Sequence, residues 1–142
     1  MSSLVGALNA SASALDAQRA RIEVATSNIA NADSTRGADG LPYRRRDVVL
    51  SEAPIDSFDA ALGRADAIGV KVSDIIEDQT PFRHRYEPSH PDADANGYVA
   101  MPNVDVPEEM VNMLGAARAY QANLTAIGLI RDTIQRALDL GK

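Results

Sequence analysis

SLVGALNASASALDAQRARIEVATSNIAN, residues 3–31, and PEEMVNMLGAARAYQANLTAIGLIRDTIQRALDL, residues 107–140, decide the fold of this chain. In the first stretch Leu8, Leu15, Ile22 and Ile29 recur at strict sevens, and Leu4, Ser11, Gln18 and Ala25 complete the same seam. In the second, Met110, Met113, Ala117, Tyr120, Leu124 and Ile127 step by threes and fours. Both patterns predict long amphipathic helices with a narrow apolar stripe suited to another helix. Past Ile127 the stripe shifts to Ile130, Ile134 and Ala137 or Leu138, which breaks the heptad and implies a changed neighbour. The expected fold is mainly α with a small β element: terminal helices paired as an antiparallel coiled coil, with short antiparallel hairpins and loops between them. The expected division is a terminal helical domain, residues 1–33 with 105–142, and an intervening β/loop region, residues 34–104.

Local signals set the helix ends. Ser2 or Ser3 can cap the first helix, and Asn31, Asp33 and Gly37 end it because Asn and Gly tolerate left-handed backbone. Thirty residues at 1.5 Å each make a rod of about 45 Å. Pro107 fits the first turn of the second helix, where a missing N–H costs nothing. Glu108 and Glu109 favour the positive end of its dipole, and Gly141 is its expected stop.

Outward from the helices the pattern changes. Residues 33–42 are rich in turn formers. Tyr43–Leu50, Ile68–Val72, Phe82–Tyr86 and Tyr98–Met101 are strand candidates, the second and third with clean alternation. Residues 51–67 have no period and read as a connector or a poorly formed short helix. Such a β element is too small to stand alone.

The composition limits what a lone subunit can do. Of 142 residues 45% are apolar, but only 4% are aromatic, and much of the apolar count is Ala. Ala buries little area at about 25 cal/mol per Å², set against a backbone ordering cost of about 1–2 kcal/mol per residue. A marginal monomer completed by neighbouring subunits is expected. A net charge of −6 disfavours nucleic acid and anionic lipid. The absence of Cys removes thiolate chemistry. The N-terminus has neither a basic segment nor a long apolar run, so neither a cleaved signal nor a membrane span is expected.

Chemical motifs are incomplete. Asp92-Ala-Asp94-Ala-Asn96-Gly97 matches the first half of a calcium-binding EF-hand loop. The twelfth position, which needs a bidentate Glu, is Asn103, and Pro88, Pro91 and Pro102 exclude flanking helices. The segment therefore reads as a rigid turn whose Asp and Asn bond their own backbone. His84 and His90 lack partners at metal spacing and read as packing or surface residues. No nucleophile elbow or phosphate loop is present. No cofactor, metal or catalytic residue is expected. Arg44, Arg45 and Arg46 read as a solvated strand face, with an acidic partner surface or peptidoglycan as the functional alternative.

Several segments taken together point to a family. Ser27-Asn28-Ile29-Ala30-Asn31-Ala32-Asp33-Ser34-Thr35-Arg36-Gly37 resembles the N-terminal signature of bacterial flagellar rod and hook proteins. Pro42-Tyr43-Arg44-Arg45, His90 to Val104 (through Asp92, Asp94, Asn96, Gly97 and Tyr98), Glu108-Glu-Met-Val and Arg118-Ala-Tyr-Gln-Ala-Asn123 extend it in order along the whole chain. The long central stretch resembles the proximal-rod branch of that axial family. The resemblance implies paired terminal helices stacked around a channel, in a rod that crosses the periplasm and transmits torque. It also implies export through the flagellar type III apparatus without signal cleavage. The neighbours it implies are other copies, FlgB, FlgF, FlgG and FliE. It places Asn28 and Asn31 at the end of the first helix, and Tyr120, Gln121 and Asn123 at inter-subunit contacts on the second. The expected assembly seam is Leu4, Leu8, Leu15, Ile22, Ile29, Met110, Met113, Tyr120, Leu124, Ile127 and Ile134. A calcium-responsive or helical-hairpin adaptor outside any filament is the alternative.

Overall fold

A computed structural model describes residues 2–37, 39–54 and 68–140. Its elements run α1 (Ser2–Ala30), β1 (Arg46–Pro54), β2 (Ile68–Glu77), β3 (Arg83–Tyr86), β4 (Tyr98–Met101) and α2 (Val106–Leu140). The layout is mainly α: helices of 29 and 35 residues, with two antiparallel two-stranded hairpins between them, β1–β2 and β3–β4. The β3–β4 register pairs Arg83 with Met101, His84 with Ala100, Arg85 with Val99 and Tyr86 with Tyr98.

Two corrections to the strand boundaries follow. β1 begins at Arg46 and continues through Ser51–Pro54, which the sequence assigned to a connector. β2 runs on past Val72 to Glu77. The partner strand supplies ladder hydrogen bonds that periodicity in one segment cannot reveal. The rest of that connector, residues 55–67, lies outside the described residues, as does the expected stop at Gly141.

α1 ends with backbone bonds from the Asn31 and Ala32 N–H groups to Ser27, Asn28 and Ile29 carbonyls, and the Asn31 side chain donates to Ser27 O at 2.8 Å. α2 starts on Asp105, whose Oδ1 accepts the Glu108 N–H at 3.2 Å and whose carbonyl accepts the Glu109 N–H at 3.0 Å. Asp at the cap with Glu three residues on explains why the helix begins just after Asp105, with Pro107 in its first turn.

The chain forms two compact units. One comprises Met1–Ala20, Val49–Asp74 and Gly115–Lys142; the other comprises Arg21–Val48 and Ile75–Leu114. In the first, Ala17 and Ala116 are buried, and the Ser13 hydroxyl accepts the Val70 N–H at 3.1 Å, tying β2 to α1. In the second, the core is Ala25, Asn28, Ala32, Val99, Met101, Pro102, Val104 and Glu109. Here the end of α1 meets the start of α2, with the Thr26 hydroxyl 3.7 Å from the Met113 sulfur.

Candidate functional site

Asn28 is fully buried, three residues along α1 from buried Ala25, on the face shared with Ala17. Its amide fills every hydrogen-bonding position it has. Nδ2 donates to the Arg46 carbonyl at 2.8 Å and to Glu109 Oε2 at 2.9 Å. Oδ1 accepts from the Tyr43 hydroxyl and from the Arg46 N–H, each at 2.9 Å. One side chain thus joins the end of α1, the entry to β1 and the first turn of α2.

Glu109 is 2% exposed, a burial that a carboxylate tolerates only when paired. Its Oε2 takes Asn28, and its Oε1 takes Arg45 Nε at 2.7 Å. Arg45 Nη1 lies 3.6 Å from Asp47 and 3.5 Å from Asp78. Burial works against the Arg45 charge, but the hydrogen bond and charge of Glu109, with Asp47 and Glu108 behind it, outweigh burial and raise its pKa above the ordinary arginine value.

A second amide braces the same strand. Asn103 Oδ1 accepts the Arg45 N–H at 2.8 Å, while its Nδ2 donates to Asp78 O at 3.1 Å and to the Thr80 hydroxyl at 2.8 Å. The Asp78 carboxyl is held below its ordinary 3.8, chiefly by the Thr80 N–H at 2.9 Å, against slight burial and with help from the Thr80 hydroxyl and Arg45. Arg44 lies over the Phe82 ring at 4.4 Å and Arg46 over Tyr43 at 5.7 Å, with Arg46 also 3.8 Å from Glu77. The arginine triplet is therefore not a uniform solvated face. Arg45 turns inward to a buried carboxylate, and its neighbours lie over rings.

The loop 87–97 is locked to the segment that follows α1. Asp92 accepts the Thr35 hydroxyl at 2.9 Å and pairs with Arg36 at 2.7 Å. Its own N–H donates to His90 Nδ1 at 3.1 Å. Asp94 Oδ1 accepts the Asn96 N–H at 2.8 Å and the Tyr98 N–H at 2.9 Å. The Tyr98 N–H first, with Asn96 and Gly97 and the nearby His84 adding and burial opposing, holds the Asp94 carboxyl below 3.8. Gly97 has φ +84°, and a Cβ there would sit 2.9 Å from the Tyr86 ring and 3.1 Å from Pro88 Cβ. The two Tyr rings pack edge to face, with centroids 5.3 Å apart. The Arg83 guanidinium donates to the Pro102 and Val104 carbonyls. The Asp92 and Asp94 carboxylates thus hold protein groups, and the segment is a braced turn.

The seam residues divide by exposure. Leu4, Leu8, Leu15, Ile22 and Ile29 on α1 are half-buried, as are Met113, Tyr120, Ile127 and Ile134 on α2. Met110 and Leu124 are each 54% exposed. Asn123 is half-buried and donates to Ala119 O at 2.9 Å, whereas Gln121 is exposed. The sequence singled out Asn28 and Asn103 but did not join them to Arg45, Tyr43 and Glu109. The one local signal was Asn28 itself, a polar residue on the Ala17–Ala25 face.

Residues 8–38 match the family described as "Flagella basal body rod protein", and residues 95–140 match "Flagellar basal body rod FlgEFG protein C-terminal". The flagellar basal-body rod protein FlgC of Salmonella typhimurium is 48% identical, over 98% of each chain. That of Bacillus subtilis is 45% identical, over 95% of this chain and 96% of the relative. That of Borreliella burgdorferi is 38% identical, over 95% of each. The chain belongs to the FlgC family of flagellar basal-body rod proteins. As a FlgC-family member it is a structural subunit of the flagellar rod and not an enzyme. Asn28 and Asn31 lie within the first matched region, and Gly97, Tyr98, Glu109 and Asn123 within the second. The clamp from Asn28 to Glu109 therefore joins the two matched regions of a FlgC-family subunit. The calcium-responsive and helical-hairpin adaptor readings find no support among these relatives. Among the described residues no helix is long and apolar enough to cross a membrane.

Proposed function

We propose that this subunit builds the proximal rod in the periplasm, a tube that transmits motor torque and encloses the export channel. Residues 1–33 with 105–142 form the axial core, in which the helices pair as an antiparallel coiled coil. Residues 34–104 form the outer β/loop region. The neighbours are further copies, FlgB, FlgF, FlgG and FliE, and export uses the flagellar type III route with no signal cleaved. The reading rests on one observation: large apolar side chains of α2 face water in the single subunit. Met110, Val111 and Leu114 are 54, 70 and 51% exposed, a pattern that marks surfaces awaiting partners. Each such side chain contributes about 1.5–3 kcal/mol when a neighbour buries it. Contacts that repeat head to tail without closing build a helical tube. Arg44 and Arg46 would meet an acidic neighbour or peptidoglycan, and photocrosslinking from position 46, whose side chain is half exposed, in intact basal bodies identifies which.

The test is Ile22→Asp and Leu124→Asp, introduced separately on the chromosome. Both are expected to abolish rod assembly and swimming while the subunit is still made. Normal swimming by both variants would falsify the seam assignment.

A further inference from the structure

We propose that Asn96–Gly97 is a latent deamidation site that the folded β3–β4 hairpin holds closed. The chain has seven asparagines, and Asn96 is the only one followed by Gly; the other six precede Ala, Ile, Val, Met or Leu. In a flexible chain a following Gly offers no side chain to block its own backbone nitrogen. Once that nitrogen loses its proton to solvent base, it attacks the Asn Cγ. The Cγ–Nδ2 bond breaks, ammonia leaves carrying the proton it needs from water, and a five-membered succinimide closes. Water then opens the ring at either carbonyl, giving Asp or isoaspartate. No partner beyond water is required.

The folded loop opposes each part of this reaction. The Gly97 N–H donates to the Asp94 carbonyl at 3.0 Å, so the attacking nitrogen keeps its proton and faces away from solvent base. The Asn96 N–H is bound to Asp94 Oδ1 at 2.8 Å, which fixes the backbone on the other side of the reacting carbon. Gly97 is buried at φ +84°, wedged between the Tyr86 ring and Pro88, so the turn cannot rotate into the ring-closing geometry. Asn96 itself is exposed. Exposure therefore does not protect it; the immobilised backbone does. Isoaspartate at this position would insert an extra methylene into a turn that sets the Tyr86–Tyr98 register, next to buried Val99 and Met101. A chain aged while unfolded would thus be unable to rebuild the hairpin correctly.

The experiment incubates the purified chain at mildly alkaline pH in buffer and in concentrated urea. Position 96 is followed by peptide mass spectrometry and by enzymatic methyl labelling of isoaspartate. The expected result is rapid conversion at Asn96 in urea, ahead of the other six asparagines, and conversion at least about tenfold slower in buffer, because reaction requires local opening. Asn96→Gln, which closes the larger ring far more slowly, should lose the labelling in urea. Asp94→Ala, which frees the Asn96 and Tyr98 N–H groups, should speed conversion in buffer and leave the urea rate unchanged. Equal rates in buffer and urea would overturn the proposal, as would no preference for Asn96 in urea.

Discussion

At the level of single residues, the subunit concentrates its specificity in Asn28. Removing the amide by Asn28→Ala leaves Glu109 with one partner, leaves the Tyr43 hydroxyl only its 3.3 Å contact to Ser27 Oγ, and strips the Arg46 N–H and carbonyl of their amide partners. Unsatisfied buried groups cost about 1–3 kcal/mol each, so a loss of about 2–4 kcal/mol is expected, read as a lower urea midpoint with unchanged slope. Gly97→Ala meets both a positive φ and the Tyr86 ring, and should cost about 1–3 kcal/mol in the same measurement. The carboxyls of Asp78 and Asp94 are more acidic in the fold than in the open chain. Their contribution is therefore complete above pH 3.8 and is lost as pH falls through their lower folded values. Amide exchange at Tyr98 and Thr80, corrected for its intrinsic pH dependence, should lose protection in that acid range. Constant protection down to full protonation would show that these bonds do not depend on the charge.

At the level of elements, the helices were legible because a period of three to four residues is written locally and survives whatever packs against it. Asp105 illustrates how local such a signal is: Asp105→Ala removes the cap of α2 and should cost about 1 kcal/mol, seen in thermal denaturation. The short strand Tyr98–Met101 was legible too, as a run of strand-forming residues between Gly97 and Pro102. β1 was legible only in its first half, Arg46–Leu50: Ser51-Glu-Ala-Pro54 has no alternation, and only its pairing with β2 makes it a strand. The clamp was hidden for a related reason. Asn28 and Glu109 are 81 positions apart, and nothing in either neighbourhood announces the other. Glu109 was read as a dipole partner, which its place in the first turn justifies, yet its dominant contacts are Arg45 and Asn28. Arg45 looked solvated because three arginines in a row usually are.

At the level of the whole molecule, the buried apolar side chains that the two helices contribute are small, Ala17, Ala25 and Ala116, while many larger helical ones stay half or more exposed. An isolated subunit should therefore show less helix by circular dichroism than 29 and 35 helical residues require, and gain it on assembly. Full helicity and slow amide exchange in both helices of the lone chain would contradict that expectation. The hairpins carry a different consequence. Among the described residues each sheet has two strands, and several backbone groups outside the ladders are closed by the chain itself: Val70 N–H by Ser13, both Arg46 groups by Asn28 and both Tyr98 groups by Asp94. Lys71, Asp74 and Glu77 on β2, and Asp47, Glu52 and Pro54 on β1, stand where uncontrolled cross-β stacking would otherwise begin. Replacing Lys71 and Asp74 with Val should turn a soluble preparation into one that forms thioflavin-positive fibres.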